Sequence, residues 1–533
     1  MLTSWGIYTG SEVRHCEDFY IFSNREDHKS LSRNGRELLR KEDIKSLLKE
    51  KGISFPSLSQ IKDQLLLDSL QRLYVDHSAT ESEPDWFGGL PTVVKRNIKR
   101  FIATTGEFIE PLFNIPDLPF SGFGYVVEEE GLIEATVRAF HQWRLSRVRQ
   151  LGFLHPPFIT DGDEMNHIMS CYGHERLSHS CDVGILLTLM WLNNRPALEG
   201  LNHHLLRLAG QAHDTLTPAG GDSTKRIDLE AFDEDKHFRE LFKLPDWPAL
   251  RDRFQIDEEQ LVQTILNQGI FGQMLDLADK IAYTGRDVAA FLRLASPGSF
   301  VDSLFPTECG RIRELTERFP VFCGLWDSLR VENGLVYLAD AKKLAIFLEI
   351  RALMFRVLYY NPASRFVEDT IANVVIRHLY QTGIVDRTSL LQMTDSDLEQ
   401  LIKEVTGIDS LSQLIGLHFS AQVQRFSSLA EAIREERRLV DQQPGIFTLV
   451  SNFKPVSNSA VSKFNVKKKG KIIPFDQAYP TEAWQIIDIM SVSDRAYLYS
   501  LRNFVFPPAL MSTLEANRQE RWRLSSAENL NLV

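Results

Sequence analysis

Between Arg176 and Asp287 this chain sets imidazoles and carboxylates into stretches that otherwise carry the apolar spacing of buried helices. Three pieces stand out: Arg176-Leu-Ser-His179-Ser, Gln211-Ala-His213-Asp214, and Met274-Leu-Asp276-Leu-Ala-Asp279-Lys280-Ile-Ala-Tyr283. Buried charges are tolerated only when paired or bound to a metal, so these helices must meet around a polar centre. His179, His213, Asp214 and Asp279 are the candidate metal ligands. Hydrolytic divalent metals accept neutral imidazole and carboxylate donors, and a two-His, two-Asp set leaves positions open for water and substrate. The donor set suits Mg or Mn first and also accepts Fe, Co or Zn. A His-Asp pair alone is more often a plain helix terminus. The third piece shifts the balance: Asp276, Lys280, Tyr283 and Asp287 recur at spacings that share one helix face. Asp279 lies beside that stripe, on a face with Tyr283 and Arg286.

The rest of the chain reads as support. Its 533 residues exceed one small core and predict several subdomains. The formal charge of −11 argues against nucleic acid as the main ligand. Five cysteines without CxxC spacing suit a reduced compartment. The N-terminus has no basic region followed by an apolar run, and no apolar run reaches the ~20 residues of a membrane span, so a cytoplasmic protein without membrane contact is expected. Apolar spacing predicts helices over 36–48, 61–73 and 93–104, a loop over 116–125, a helical pattern from 131 that includes 135–150, a loop over 156–164, helices carrying His179 and His213, and helices over 258–267, 272–293, 309–319, 340–360 and 364–381, with a break at 297–298. Residues 215–226 read as a turn. Thr394 or Ser396 caps a helix that follows. Beyond residue 440, segments 447–450, 461–466 and 471–474 are strand-like, with a turn at 467–471 and helices over 481–490 and 492–501. The fold class is therefore mainly α, with a small C-terminal α+β region.

The pieces Arg176-x-x-His179-Ser, His213-Asp214 and Asp279-Lys280-Ile-Ala-Tyr283-Thr-Gly-Arg286-Asp287 closely resemble the HD-domain deoxynucleoside triphosphate triphosphohydrolases, and Leu275–Tyr283 is especially similar to the bacterial dGTPases. Trp143-Arg-Leu-Ser-Arg-Val-Arg-Gln150-Leu151-Gly152 resembles that family's Arg-rich segment, and Arg351 followed eight residues on by Tyr359 resembles its later helix. The resemblance covers roughly residues 130–405, with a weaker hairpin likeness near 461–475. It implies an HD helical core over 126–300, a helical extension completing the nucleotide site over 301–440, a helical appendage and linker over 1–125, and the α+β region over 441–533. It implies that His179, His213, Asp214 and Asp279 hold the metal, and that Arg176, Lys280, Tyr283 and Arg351 grip a triphosphate. Gln150 and Asp287 would bond the sugar 3′-hydroxyl, Leu151 would crowd the 2′ position, and Tyr359 would pack on sugar or base. The implied reaction is hydrolysis of a dNTP to deoxynucleoside and inorganic triphosphate, serving dNTP-pool control or phage defence. A homo-oligomer and an activating nucleotide are implied as well.

The chain departs from the family after His213-Asp214. Thr217 stands where a histidine is expected and Asp222 near a second, while His237 resembles a further phosphate-contacting histidine. Proton transfer is therefore left to Asp222 as acid or base or to the metal alone, with His237 keeping the family histidine's role, or the activity is lost and the pocket kept as a nucleotide sensor. Asn361-Pro362 follows Tyr360 where some members carry His-Lys to a regulatory nucleotide. Two other functions stand against the first: another HD phosphohydrolase, such as a nucleotidase or phosphodiesterase, and a nucleotide-binding regulator with weak or no catalysis.

Overall fold

The computed structural model describes strands 13–15, 19–23, 30–33, 37–40 and 124–128, and residues 132–150, 152, 175–295, 297–318, 325–406, 421–452, 459–491, 496–501 and 507–526. The described chain is mainly helical. Near the N-terminus, β1 (Val13–His15), β2 (Phe19–Ser23), β3 (Ser30–Arg33), β4 (Glu37–Arg40) and β5 (Gly124–Glu128) form a sheet in the order β4-β3-β1-β2-β5. A helix over 36–48 was expected; residues 37–40 are instead a strand pairing with β3. Asn34-Gly35, a strong short-range hairpin signal, outweighs the apolar spacing there. Tyr125, expected in a loop, belongs to β5. The helices expected at 61–73 and 93–104 lie outside the described residues, as does Leu151.

The core that carries the site is built from α1 (Leu132–Ala139), α2 (Arg176–Asn194), α3 (His203–Ala212), α4 (Gly221–Lys225), α5 (Glu234–His237), α6 (Trp247–Phe254), α7 (Glu258–Ile265) and α8 (Gly269–Leu294). Val183, Leu186, Leu187 and Met190 of α2 pack with Leu205, Leu206 and Leu208 of α3 and with Met274, Ala278 and Ile281 of α8, all fully buried. Burying such a side chain stabilises by about 1.5–3 kcal/mol. Helices α2 and α3 approach closely at Gly184 and Gly210, where a Cβ on Gly210 would stand 2.9 Å from the Gly184 Cα. That contact brings His179, early in α2, beside His213 at the end of α3. Between α1 and α2, His141 in the left-handed conformation breaks the expected helix, and Gln142–Arg147 continue as a 3-10 turn.

Helices α9 (Phe300–Leu304) and α10 (Pro306–Arg318) precede a hairpin of β6 (Leu329–Glu332) and β7 (Leu335–Leu338), whose turn residues Asn333 and Gly334 both have positive φ. Helix α11 (Ala341–Met354) then runs into a π turn, Phe355–Tyr359. A π turn rotates less per residue than an α-helix, which returns Tyr359 to the face that carries Arg351. Next come α12 (Pro362–Thr370), a second π turn (Ile371–Ile376), α13 (Arg377–Gln381), α14 (Arg387–Gln392) and α15 (Asp395–Thr406). Thr394 caps α15 reciprocally with Asp397.

The last region contributes to two sheets. β8 (Gln422–Phe426), β9 (Phe447–Asn452) and β12 (Ala496–Leu501) form one with β12 central, flanked by α16 (Leu429–Gln442). A helix over 492–501 was expected; residues 496–501 are a strand buried along its whole length. A central strand covered on both faces reads as a continuous apolar run, which resembles a buried helix. Helix α17 (Ser459–Ser462) precedes β10 (Asn465–Lys468) and β11 (Lys471–Pro474), which join β7 and β6. Val461, expected in a strand, is therefore helical, and the hairpin turn tightens to Lys469-Gly470. Helices α18 (Phe475–Ala478), α19 (Pro480–Ser491) and α20 (Pro508–Ser526) complete the chain's described part, in which no helix is long and apolar enough to cross a membrane.

Candidate metal centre

Helices α2 and α8 and the end of α3 bring His179, Asp279 and His213 together, with Asp214 following in the loop. His179 Nε2 lies 3.0 Å from Asp279 Oδ1, 3.5 Å from Asp214 Oδ2 and 3.3 Å from His213 Nε2. His213 Nε2 lies 3.6 Å from Asp214 Oδ2 and 3.7 Å from Asp279 Oδ1. The ligand atoms of His179, His213 and Asp279 all fall within 4.8 Å of one another. His213 Nδ1 donates to the Gly210 carbonyl at 2.7 Å, which turns the Nε2 lone pair inward. Two imidazole nitrogens facing two carboxylate oxygens require positive charge between them. Burial opposes a charge on His213, but Asp214 and Asp279 outweigh it and push its pKa up to about 9. Burial would raise Asp279, and the two histidines hold it well below the ordinary carboxylate range. The donor chemistry thus fits a divalent cation, with His179, His213 and Asp279 as ligands and Asp214 at their edge.

The end of α3 is fixed from outside. Gln142 donates to the Gln211 carbonyl at 2.9 Å and to Thr215 Oγ1 at 2.6 Å, and Gln211 donates back to Gln142. Arg144 clamps the following loop through the Thr217 carbonyl at 2.7 Å and the Met393 carbonyl at 3.2 Å. Asp395 accepts from Arg149 N and Nε and from Gly220 N, tying the loop to α15. Gly152 rests on this loop with φ +57, and a Cβ there would stand 2.1 Å from the Gly220 oxygen. Gly152 thereby docks beside Asp222. Gln150 is buried, and its Oε1 has no donor among the described residues.

Arg176 is buried and turns to protein carboxylates: Nη1 donates to Asp214 Oδ2 at 2.7 Å and Nη2 to Asp222 Oδ1 at 3.0 Å. It holds a ligand in place. Burial opposes the charge on Asp222, but Arg176 and Lys225 outweigh it and lower its pKa. Asp222 is therefore ionised at neutral pH and holds no proton to donate. His237 joins Glu240 at 2.8 Å and the Glu230 carbonyl at 3.1 Å, so both ring nitrogens are engaged away from the cluster.

Along α8 the polar stripe meets α11. Lys280 pairs with Asp276, and burial lowers its pKa. Tyr283 Oη accepts from Arg351 Nε at 2.7 Å; burial pushes this phenol up to about 12, so it is neutral. Arg351 also lies over the rings of Tyr283 and Phe355, at 5.8 and 4.9 Å. Among the described residues no carboxylate forms an ion pair with Arg351. Tyr359 donates to Asp287 Oδ2, and Arg286 pairs with Asp182 of α2. A cavity of about 270 Å³ lined by Gln273, Asp276, Tyr337, Lys463 and Asn465 opens one turn before Asp279, beside the cluster rather than over it.

Burial pushes the Asp287 carboxyl up to about 7. Between its ordinary value near 3.8 and about 7, the unfolded chain carries the carboxylate while the folded chain carries the acid. Stability contributed here falls as pH rises through that window and is level above it. Asp287→Asn should therefore raise the melting temperature more at pH 8 than at pH 5; an equal shift at both would contradict the raised pKa.

Three groups at the site escape the sequence reading. Lys225 lies 2.9 Å from Glu234 and 3.5 Å from Asp222, and Thr217 Oγ1 donates to Glu234 Oε1 at 2.5 Å. Asp235 is close enough to His213 for the two charges to interact. Lys225, Glu234 and Asp235 sit on helices of five and four residues, too short for apolar periodicity. The available signal was Asp233 as a helix cap with two acids in the first turn.

No protein-family model matches the chain, and no curated protein matches it. Among solved structures, a hypothetical protein from Aquifex aeolicus aligns with 75% of this chain and 97% of its own at 15% identity and a TM-score of 0.51. A phosphohydrolase from Bacteroides thetaiotaomicron aligns with 72% of this chain and 98% of its own at 15% identity and a TM-score of 0.49. The first of these shows a shared fold.

Proposed function

We propose that this protein is a metal-dependent hydrolase of the HD type that converts a dNTP to deoxynucleoside and inorganic triphosphate. The observation that carries this reading is Arg351. It is a partly buried cation on α11 whose hydrogen-bond and ring partners are Tyr283, one turn beyond Asp279 on α8, and Phe355. A cation so placed is satisfied by an anion from outside. His179, His213, Asp279 and Asp214 would hold the divalent metal, which when bound supplies Lewis acidity and lowers the pKa of water. Arg351 and Tyr283 bind phosphate oxygens, and Lys280 does so by exchanging Asp276 for substrate. Arg176 keeps Asp214 oriented. Gln150, with its open Oε1, and Asp287 receive the sugar 3′-hydroxyl, and Tyr359 orients Asp287. Exclusion of the 2′-hydroxyl by Leu151 belongs to the same proposal, as do a homo-oligomer, an activating nucleotide, and roles in dNTP-pool control or phage defence.

A second reading, a nucleotide-binding regulator with weak or no catalysis, is favoured by one observation. Asp222, in the family's histidine region, is ionised and tied to Arg176. Incubation with each dNTP and Mg or Mn, followed by ion chromatography, separates the two. Triphosphate release that disappears in Asp279→Asn is expected. Tight dNTP binding without turnover would replace the enzyme by the regulator, and equal cleavage of ribonucleotides would contradict the sugar assignment.

A further inference from the structure

We propose that Glu234, held at Oε1 by Thr217 and Lys225, is the general acid that delivers a proton to the departing 5′-oxygen. The assignment rests on the triphosphohydrolase reading and names the residue that replaces the missing histidines.

Cleavage at the α-phosphorus expels an alkoxide-like oxygen, which is a poor leaving group until protonated. A suitable acid must be fixed, near the phosphates and protonated at working pH. His237 is engaged elsewhere and Asp222 is ionised. Glu234 is fixed at Oε1 by two partners, belongs to the ion-pair chain that reaches the cluster, and has its pKa raised by burial. It opens α5, whose cap Asp233 accepts from Lys236 N. Its Oε1 receives both the Thr217 hydroxyl and the Lys225 ammonium, which leaves Oε2 to carry the proton. Lys225 also reaches Asp222, which shares Arg176 with the ligand Asp214, so Glu234 joins the ion-pair chain that ends at the metal cluster. The charged groups facing it are Lys225 from α4, Arg176 from α2, Asp214 from the loop and Arg144 from the 3-10 turn, with Asp233 and Asp235 beside it on its own segment. Burial raises its pKa and Asp214 adds to that, against the opposing pull of Lys225 and Arg176. A bound triphosphate brings further negative charge and raises it again.

In the step, the oxygen of water bonds to the α-phosphorus as the bond from phosphorus to the 5′-oxygen breaks. The carboxyl proton moves to the 5′-oxygen and yields the deoxynucleoside hydroxyl. The proton lost by water returns the carboxylate to its acid form through solvent.

The test is kcat against pH, with the dNTP that the wild type cleaves best. The wild type should lose rate on an alkaline limb. Glu234→Gln, which keeps an acceptor for Thr217 and Lys225, should lower kcat by about 10²–10⁴-fold and lack that limb. A variant that keeps the limb, or loses less than tenfold, overturns the assignment. Lys225→Met is the second variant. It leaves the acid but removes the cation that opposes its protonation, so the limb should move to higher pH, and an unmoved limb overturns the assignment as well. A wild type that releases no triphosphate from any dNTP overturns the substrate reading and this assignment with it. An active wild type with an unaffected variant overturns the assignment alone.

Discussion

Asp279→Asn is expected to empty the metal centre and lower turnover by about 10³-fold or more, because a bound metal contributes several kcal/mol of transition-state stabilisation. Asp279 is the informative ligand to change. Its carboxylate serves the two histidines at 3.0 and 3.7 Å, with no ion pair to a Lys or Arg among the described residues. Asp214 differs: it neutralises the buried Arg176. Breaking a buried pair from one side costs about 3–5 kcal/mol, so an Asp214 variant combines loss of metal with loss of fold. Asp279→Asn should keep its helical circular dichroism and melt within a few degrees of the metal-free wild type. A large drop in melting temperature below that reference would mean that Asp279 serves the fold rather than the metal.

Arg351→Met is the second change with a large expected effect, and its two consequences have opposite signs. The guanidinium is partly buried against Tyr283 and Phe355 without an acidic partner among the described residues. Replacing it with an apolar chain of similar length removes a charge that the folded state must desolvate, while Tyr283 loses one donor worth about 1 kcal/mol. Stability should therefore hold or rise. Hydrogen bonds to a charged group are worth about 1.5–3 kcal/mol each. Losing two of them from substrate should lower kcat/KM by about 10²–10³-fold and weaken inhibition by inorganic triphosphate. A variant that melts markedly lower and still binds triphosphate would make Arg351 a packing residue.

The helices that carry the centre were legible in the sequence for a simple physical reason. Helices α2, α3 and α8 are long enough for apolar periodicity, and a polar residue inside that pattern needs an explanation. His179, His213 and Asp279 were found in this way, and the structure brings them together. What periodicity cannot show is the direction in which a charged side chain turns. Arg176 and Lys280 read as anion-binding groups, yet each is paired with a carboxylate of its own chain. Such pairings join residues distant in sequence or compete along one helix, and either outcome fits the same spacing. The loop from Thr215 to His237 was opaque because its helices are four and five residues long. Lys225 and Glu234 acquire meaning only when Arg144 and Asp395 fold that loop over the end of α3. The hairpin at Asn333-Gly334 went unread although its turn dipeptide marks it, and residues 37–40 were read as helical from their spacing. Residues 496–501 were misread because a strand covered on both faces lacks alternation.

His179, His213 and Asp279, with Asp214 at their edge, are placed to hold one divalent cation. The most direct test of that claim is metal content by inductively coupled plasma mass spectrometry, comparing wild type with Asp279→Asn after dialysis against a weak chelator. The expected result is about one divalent cation per wild-type chain, held by these donors with a position left open for water, and its loss from a variant that remains folded. Equal metal content in the two proteins, or none in a wild type that still cleaves its substrate, would contradict the claim.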